Sequence, residues 1–223
     1  MDVRKVDYYG ACDNAIKSMN RSNLEAFGRL KMAKWDEINV IQTVKRVYQK
    51  SEKEARRRYY EVSFEAYLMM LALCDIDPRK AHQMAEETIT EAWVADVLKQ
   101  TDFVTLYRFD TETERKAYRL AEALEATDDR DTEINKALRF WSQQLGQYAI
   151  NMTDYAMLAA MDDAGIEFAE WVTMEDEKVC HECRILDGQV FRVDEFPSKP
   201  HWGCRCRMRP VFRNSKDQEA ETA

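Results

Sequence analysis

Glycine and proline are scarce in this chain, with six and four residues respectively, and Pro197, Pro200 and Pro210 all lie beyond residue 196. Such sparse punctuation excludes a loop-rich or sandwich-like architecture for most of the chain and leaves helix as the default before about residue 165. Long apolar runs are also missing. None approaches the roughly 18 residues of a membrane span, and Met1-Asp2-Val3-Arg4-Lys5 lacks the apolar core of a secretory signal. No membrane partner is expected, and a reducing cytoplasm is the expected setting. There the six cysteines are metal ligands or buried thiols rather than disulfides. Positive charge is short as well: 33 Lys and Arg face 41 Asp and Glu, for a net charge of -8. A surface that wraps duplex DNA by bulk electrostatics is therefore excluded, and any DNA contact is expected to be local and weak.

Catalytic signatures are absent too. The sequence holds no H-E-x-x-H, no phosphate-binding glycine loop and no G-x-S-x-G elbow. His82 is the one histidine outside a C-terminal cluster, and no carboxylate stands at ligand spacing from it. Cys180 beside His181 supplies the residue types of a thiol nucleophile, but sequence neighbours point apart in a strand or knuckle. No enzymatic activity is expected.

What is present before residue 165 is helical periodicity. Ser22 or Asn23 is placed to cap one long amphipathic rod carrying Phe27, Leu30, Ile38, Ile41, Val44 and Tyr48, its stripe broken by Lys34. A second helix through Tyr60, Phe64, Tyr67, Leu68 and Leu71 ends at Asp75-Ile76-Asp77-Pro78, where Asp77 caps the next helix and Pro78 is its first residue. That third helix carries Ala81, Ala85, Ile89, Ala92, Trp93 and Val97, and a fourth follows Asp110. After Asp128-Asp129-Arg130-Asp131, Thr132 opens a long helix through Trp141 and Tyr148 to Gly165, a residue suited to the left-handed end position. Lys45, Arg46, Lys50 and Arg56-Arg57-Arg58 read as a solvated basic face.

Beyond Gly165 the period shortens. A strand is expected around Trp171, a hairpin around Asp187-Gly188, and a final strand from Cys204 to Pro210. Alternation puts Cys204, Cys206 and Met208 on one face of that strand and Arg205, Arg207 and Arg209 on the other. The arginines can meet phosphate or an acidic partner, or pair with nearby Glu167, Glu170, Asp194 and Glu195, which is the safer expectation in an acidic chain.

The most specific feature is Cys180-His181-Glu182-Cys183 followed, after seventeen residues, by His201-Trp202-Gly203-Cys204-Arg205-Cys206. C-x-x-C and H-x-x-C pairs each wrap one side of a tetrahedral ion through a tight turn, which predicts a structural zinc site. Four of Cys180, Cys183, His201, Cys204 and Cys206 are the expected ligands, with Cys206 able to replace Cys204 and His181 pointing away. Cys12 and Cys74 read as buried, inert thiols, and Trp171 as the plug of a small core.

The stretch Trp171-Val172-Thr173, Asp176, Val179-Cys180-x-x-Cys183, Leu186-Asp187-Gly188-x-Val190-Phe191 and Pro200-His201-x-x-Cys204-Arg205-Cys206 resembles the C-terminal module of phage Mu F-like minor head proteins, also called head morphogenesis proteins. The resemblance covers about residues 147 to 212, with Thr153 and Asp154 in its entering helix. Trp202-Gly203 stands where Pro-Asn is usual, and either pair can turn there. The resemblance implies a structural component of a tailed-phage head, present in few copies and acting in head assembly and genome packaging or delivery. It implies contact with the portal protein, and with scaffold or major capsid protein. The implied place is the virion head interior, reached from the host cytoplasm during assembly. Some relatives carry a toxin or transferase domain after this module, and no such activity is expected here. The competing expectation is a zinc-ribbon-like nucleic-acid-binding protein of a host or mobile element.

The expected architecture is mainly α: an elongated or bundled helical region over residues 1–146, then a small zinc-closed β-subdomain within 147–212 that makes the whole α+β. Residues 213–223 carry no apolar pattern and are expected to be a disordered tail.

Overall fold

The computed structural model describes residues 9–35, 38–105, 109–174, 177–201, 203–204 and 206–212; the tail at 213–223, Trp202 and Arg205 lie outside the described residues. The described chain is mainly helical, with α1 (Gly10–Lys31), α2 (Val40–Leu73), α3 (Pro78–Thr88), α4 (Glu91–Thr105), α5 (Phe109–Ala126), α6 (Arg130–Asp163) and α7 (His181–Leu186). A three-stranded antiparallel sheet of order β2-β1-β3 is built from β1 (Phe168–Val172), β2 (Val190–Arg192) and β3 (Arg207–Val211).

The helical boundaries follow local chemistry. Asp77 caps α3 by accepting from the backbone N–H groups of Arg79 at 3.0 Å and Lys80 at 3.2 Å, with Pro78 at the first helical position. Asp129 does the same for α6, accepting from Thr132 N at 3.2 Å, and Gly165 ends that segment at φ +73°.

Two breaks depart from the sequence expectation. The rod read from Ser22 or Asn23 to Tyr48 is instead two helices. Ser22 and Asn23 lie inside α1, and α2 starts afresh at Asn39, whose side chain accepts from Gln42 N at 3.1 Å. Breaking there lets α1 fold back on α2 and α6, which buries Phe27 and Leu30 against Tyr48 and Trp141 rather than leaving one stripe half solvated. Lys34, the interruption in the stripe, falls in this break. Likewise the single helix read over Ala81 to Val97 is α3 and α4. Ile89 turns inward, fully buried, and the Thr90 hydroxyl accepts from Trp93 N at 3.1 Å to start the second piece.

At the centre of the bundle, the buried Trp141 indole on α6 donates to Ser51 Oγ on α2 at 2.7 Å, and Ser51 donates to Asn23 Oδ1 on α1. These polar contacts fix three helices in one register, because each buried group would be costly without its partner. A second buried cluster joins α2, α3 and the end of α6 to the sheet through Ala156, Met157, Ala160, Met161, Ala169, Val193 and Met208.

In β1 the inward residues are Ala169 and Trp171, opposite Pro210 and Met208 of β3. The expected hairpin around Asp187-Gly188 is different in kind. Residues 181–186 form α7, and Gly188, at φ +75°, sends its N–H to the Trp171 carbonyl at 2.8 Å, so that β2 returns beside β1. An aspartate-glycine turn flanked by apolar residues looks the same in sequence whether a strand or a helical turn precedes it.

Candidate metal centre

Three segments converge on the cysteines. Cys180 is the N-cap of α7, and its sulfur accepts from Cys183 N at 3.3 Å, the turn that a C-x-x-C spacing permits. His201 and Cys204 flank Gly203, which sits at φ +70° and whose N–H reaches Gln147 Oε1 on α6 at 2.8 Å. The final strand starts at Arg207 rather than at Cys204, so Cys204 and Cys206 precede it; the inward side read from sequence is kept, with Cys204, Cys206 and Met208 buried and Arg207 and Arg209 half-buried.

Cys183 Sγ lies 3.5 Å from Cys204 Sγ and 3.6 Å from His201 Nε2. Cys180, Cys183 and His201 bring their donor atoms within 4.8 Å of one another, and so do Cys183, Cys204 and Cys206. Cys183 is the vertex shared by both groups. Metal–sulfur bonds of about 2.3 Å and metal–nitrogen bonds of about 2.0 Å give a tetrahedron with edges of about 3.5–3.8 Å. The two measured separations are close to such edges, and among the described residues the donors gather as two triplets that share Cys183 rather than as one set of four. This is a cluster that can hold a metal. His181 is exposed at the first position of α7.

The thiols differ in character. The backbone N–H of Cys183 stabilises the Cys180 thiolate and holds that thiol below its ordinary range. Burial pushes Cys183 far above it, and Cys206 up as well. Burying neutral thiols around one point leaves soft ligands whose protons a cation would displace. By contrast, Cys12 and Cys74 are pushed up by burial to about 12 and about 11, as suits inert thiols.

Around the cluster, Trp171 is 1% exposed and stacks on Phe196 with centroids 5.7 Å apart. It plugs a small core with Val179, Cys183, Cys204 and Cys206, as its position at the head of the module suggested. On the opposite face, Arg209 donates through Nε to Glu170 at 3.0 Å. The basic triplet of α2 is engaged with its own helix: Arg56 with Glu52, Arg57 with Glu54 and Glu61, and Arg58 with Glu54 and Glu61. His82 is exposed and, against the sequence expectation, does have a carboxylate one helical turn away: Glu86, four residues on, lies 3.4 Å from its Nε2 on the solvent face.

Of a neighbouring group, Tyr9, Asp154 and Lys199, sequence reasoning named only Asp154, and that only as part of the helix entering the motif. The Lys199 side chain is only 6% exposed, and its ammonium donates to Tyr9 Oη at 2.9 Å and to the Cys206 carbonyl. It also pairs with Asp154 at 3.4 Å, and the Tyr9 hydroxyl donates to the same carboxylate. Burial raises Asp154, against the opposing pull of the Lys199 charge and the Tyr9 hydroxyl. A lysine between two prolines is the one local signal, and it does not reveal partners 45 and 190 residues away in sequence.

A helical bundle that carries a small sheet closed by a cysteine-histidine knuckle is the class these observations define. Residues 115–209 match the family model described as Phage Mu protein F like protein. The match contains the motif residues from Trp171 to Cys206 and starts earlier than they do, inside α5, so it takes in the whole of α6. No curated protein and no solved structure matches the chain significantly.

Proposed function

We propose that this protein is a minor head protein of a tailed phage or prophage, acting in head assembly and in genome packaging or delivery by contacting the portal or inner shell. The observation that carries the reading is the coincidence of the family match with the knuckle geometry: both pairs of ligand-spaced residues converge on Cys183 within the matched segment. In this reading the ion is zinc, held by Cys180, Cys183, His201 and Cys204, with Cys206 as the alternative to Cys204. Its role is structural: it ties α7 and the 201–206 turn to the sheet, doing for a small subdomain what its few apolar residues cannot do alone. Residues 1–146 then present helical faces to the head, and 147–212 form the metal-closed module. The place of action is the virion head interior.

The nucleic-acid-binding alternative draws less support, since Arg209 is committed to Glu170 and the net charge is -8. Co-expression with the portal protein of the same phage or prophage tests the choice. The expected result is a complex that survives moderate salt, because contacts made through apolar helix faces are weakly screened. A protein that ignores portal and capsid proteins yet binds duplex DNA tightly at physiological salt would overturn the head assignment.

A further inference from the structure

The buried ammonium of Lys199 uses its three donors on three different parts of the chain: Tyr9 at the start of α1, Asp154 on α6 and the carbonyl of Cys206. The Tyr9 hydroxyl also lies 3.2 Å from that carbonyl. A single residue, Pro200, separates Lys199 from His201 and stiffens the path. The same ammonium sits 5.4 Å over the ring of Trp171 and 5.3 Å over that of Tyr9. One charge therefore anchors the approach to His201 and the peptide of Cys206 to two helices of the bundle.

We propose that Tyr9, Asp154 and Lys199 form the outer shell of the metal centre, positioning the H-x-x-C-x-C half of the ligand set so that the first helix of the chain sets metal affinity. The inference rests on the metal-binding reading above. Its physical basis is that an ion pair taken out of water needs full hydrogen-bonding to be tolerated, and this one has it. Its partners then have a single arrangement, which fixes the Cys206 carbonyl at the point where the cysteines lead into β3. Groups that orient ligands without touching the ion commonly change affinity by about 10- to 100-fold when removed.

The test is zinc affinity of the full chain, measured by competition with a chromogenic chelator under reducing conditions. Tyr9→Phe removes the hydroxyl alone and is expected to weaken zinc binding about tenfold. A double variant, Asp154→Leu with Lys199→Met, removes both charges, leaves neither unpaired, and is expected to lose up to about a hundredfold. Tyr67→Phe is the control: its hydroxyl also bonds a carboxylate, Asp163, but its hydrogen-bond partners, Asp163 and Thr88, belong to neither group of metal-ligand candidates. It should keep the parent affinity. Tyr9→Phe and the folded double variant both at parent affinity would overturn the proposal. So would an equal loss in Tyr67→Phe, which would mark a general effect of destabilisation. A parent that takes up no zinc is a separate result: it removes the metal reading itself and the outer shell with it.

Discussion

Replacing Cys183 with serine is expected to abolish metal binding and to loosen residues 166 to 212 while the helical signal stays nearly intact. Cys183 is the shared vertex of both donor groups, touching His201 and Cys204, and is 1% exposed. A serine hydroxyl keeps its proton at neutral pH and leaves a polar group in a core built around sulfur. The free energy at stake is large, since structural zinc contributes an apparent ~10–16 kcal/mol in small zinc-folded peptides. Purification under reducing conditions without chelator, followed by elemental analysis, should find about one zinc per parent chain and none in Cys183→Ser. The sign with pH follows from the thiols. Burial raises Cys183 and Cys206 above their ordinary range, so protons compete harder for these sulfurs, and affinity should fall as pH falls. A parent without metal sinks the structural-zinc reading.

Trp141→Ala is expected to destabilise the bundle by about 3–5 kcal/mol, the cost of emptying a fully buried aromatic site. The loss is compounded because Ser51 gives up the donor that reaches it at 2.7 Å, and Tyr48 loses a ring whose centroid is 5.1 Å away. Against a total stability of ~5–15 kcal/mol this is a large fraction. Denaturant unfolding followed by far-ultraviolet circular dichroism measures it. A loss below about 1 kcal/mol would mean that Trp141 is not the keystone of the bundle. Zinc content of the fraction that remains folded should be unchanged, since Trp141 belongs to a different buried cluster from Cys183, Cys204 and Cys206.

The metal centre was legible because its information is local. C-x-x-C and H-x-x-C encode two turns, and the alternation leading into the last strand encodes which side the cysteines share, although the strand itself begins only at Arg207; the structure places Cys183, His201 and Cys204 in contact. Helix ends were legible where a cap and a breaker coincide, as at Asp77-Pro78 and Gly165. They were hidden where only a cap residue marks the break, as at Asn39 and Thr90. Those positions are decided by what the helix must pack against, which periodicity along one segment does not carry. The Tyr9–Asp154–Lys199 group was hidden for the same reason in stronger form. None of the three residues is unusual among its neighbours, and only the fold brings positions 9 and 199 together.

Helix α6 has 34 residues and spans about 51 Å at 1.5 Å per residue. Its buried side chains run from Ile134, in the bundle core, to Met161, against the sheet, and no proline or cis peptide interrupts it. Mechanically that is a single spar. A tilt of 5° at one end carries the other through roughly 4 Å, as far as a row of side chains. A push delivered to the bundle would thus arrive at the knuckle as displacement rather than dissipate in a hinge, and two proteins gripping opposite ends of this chain would each feel the other move.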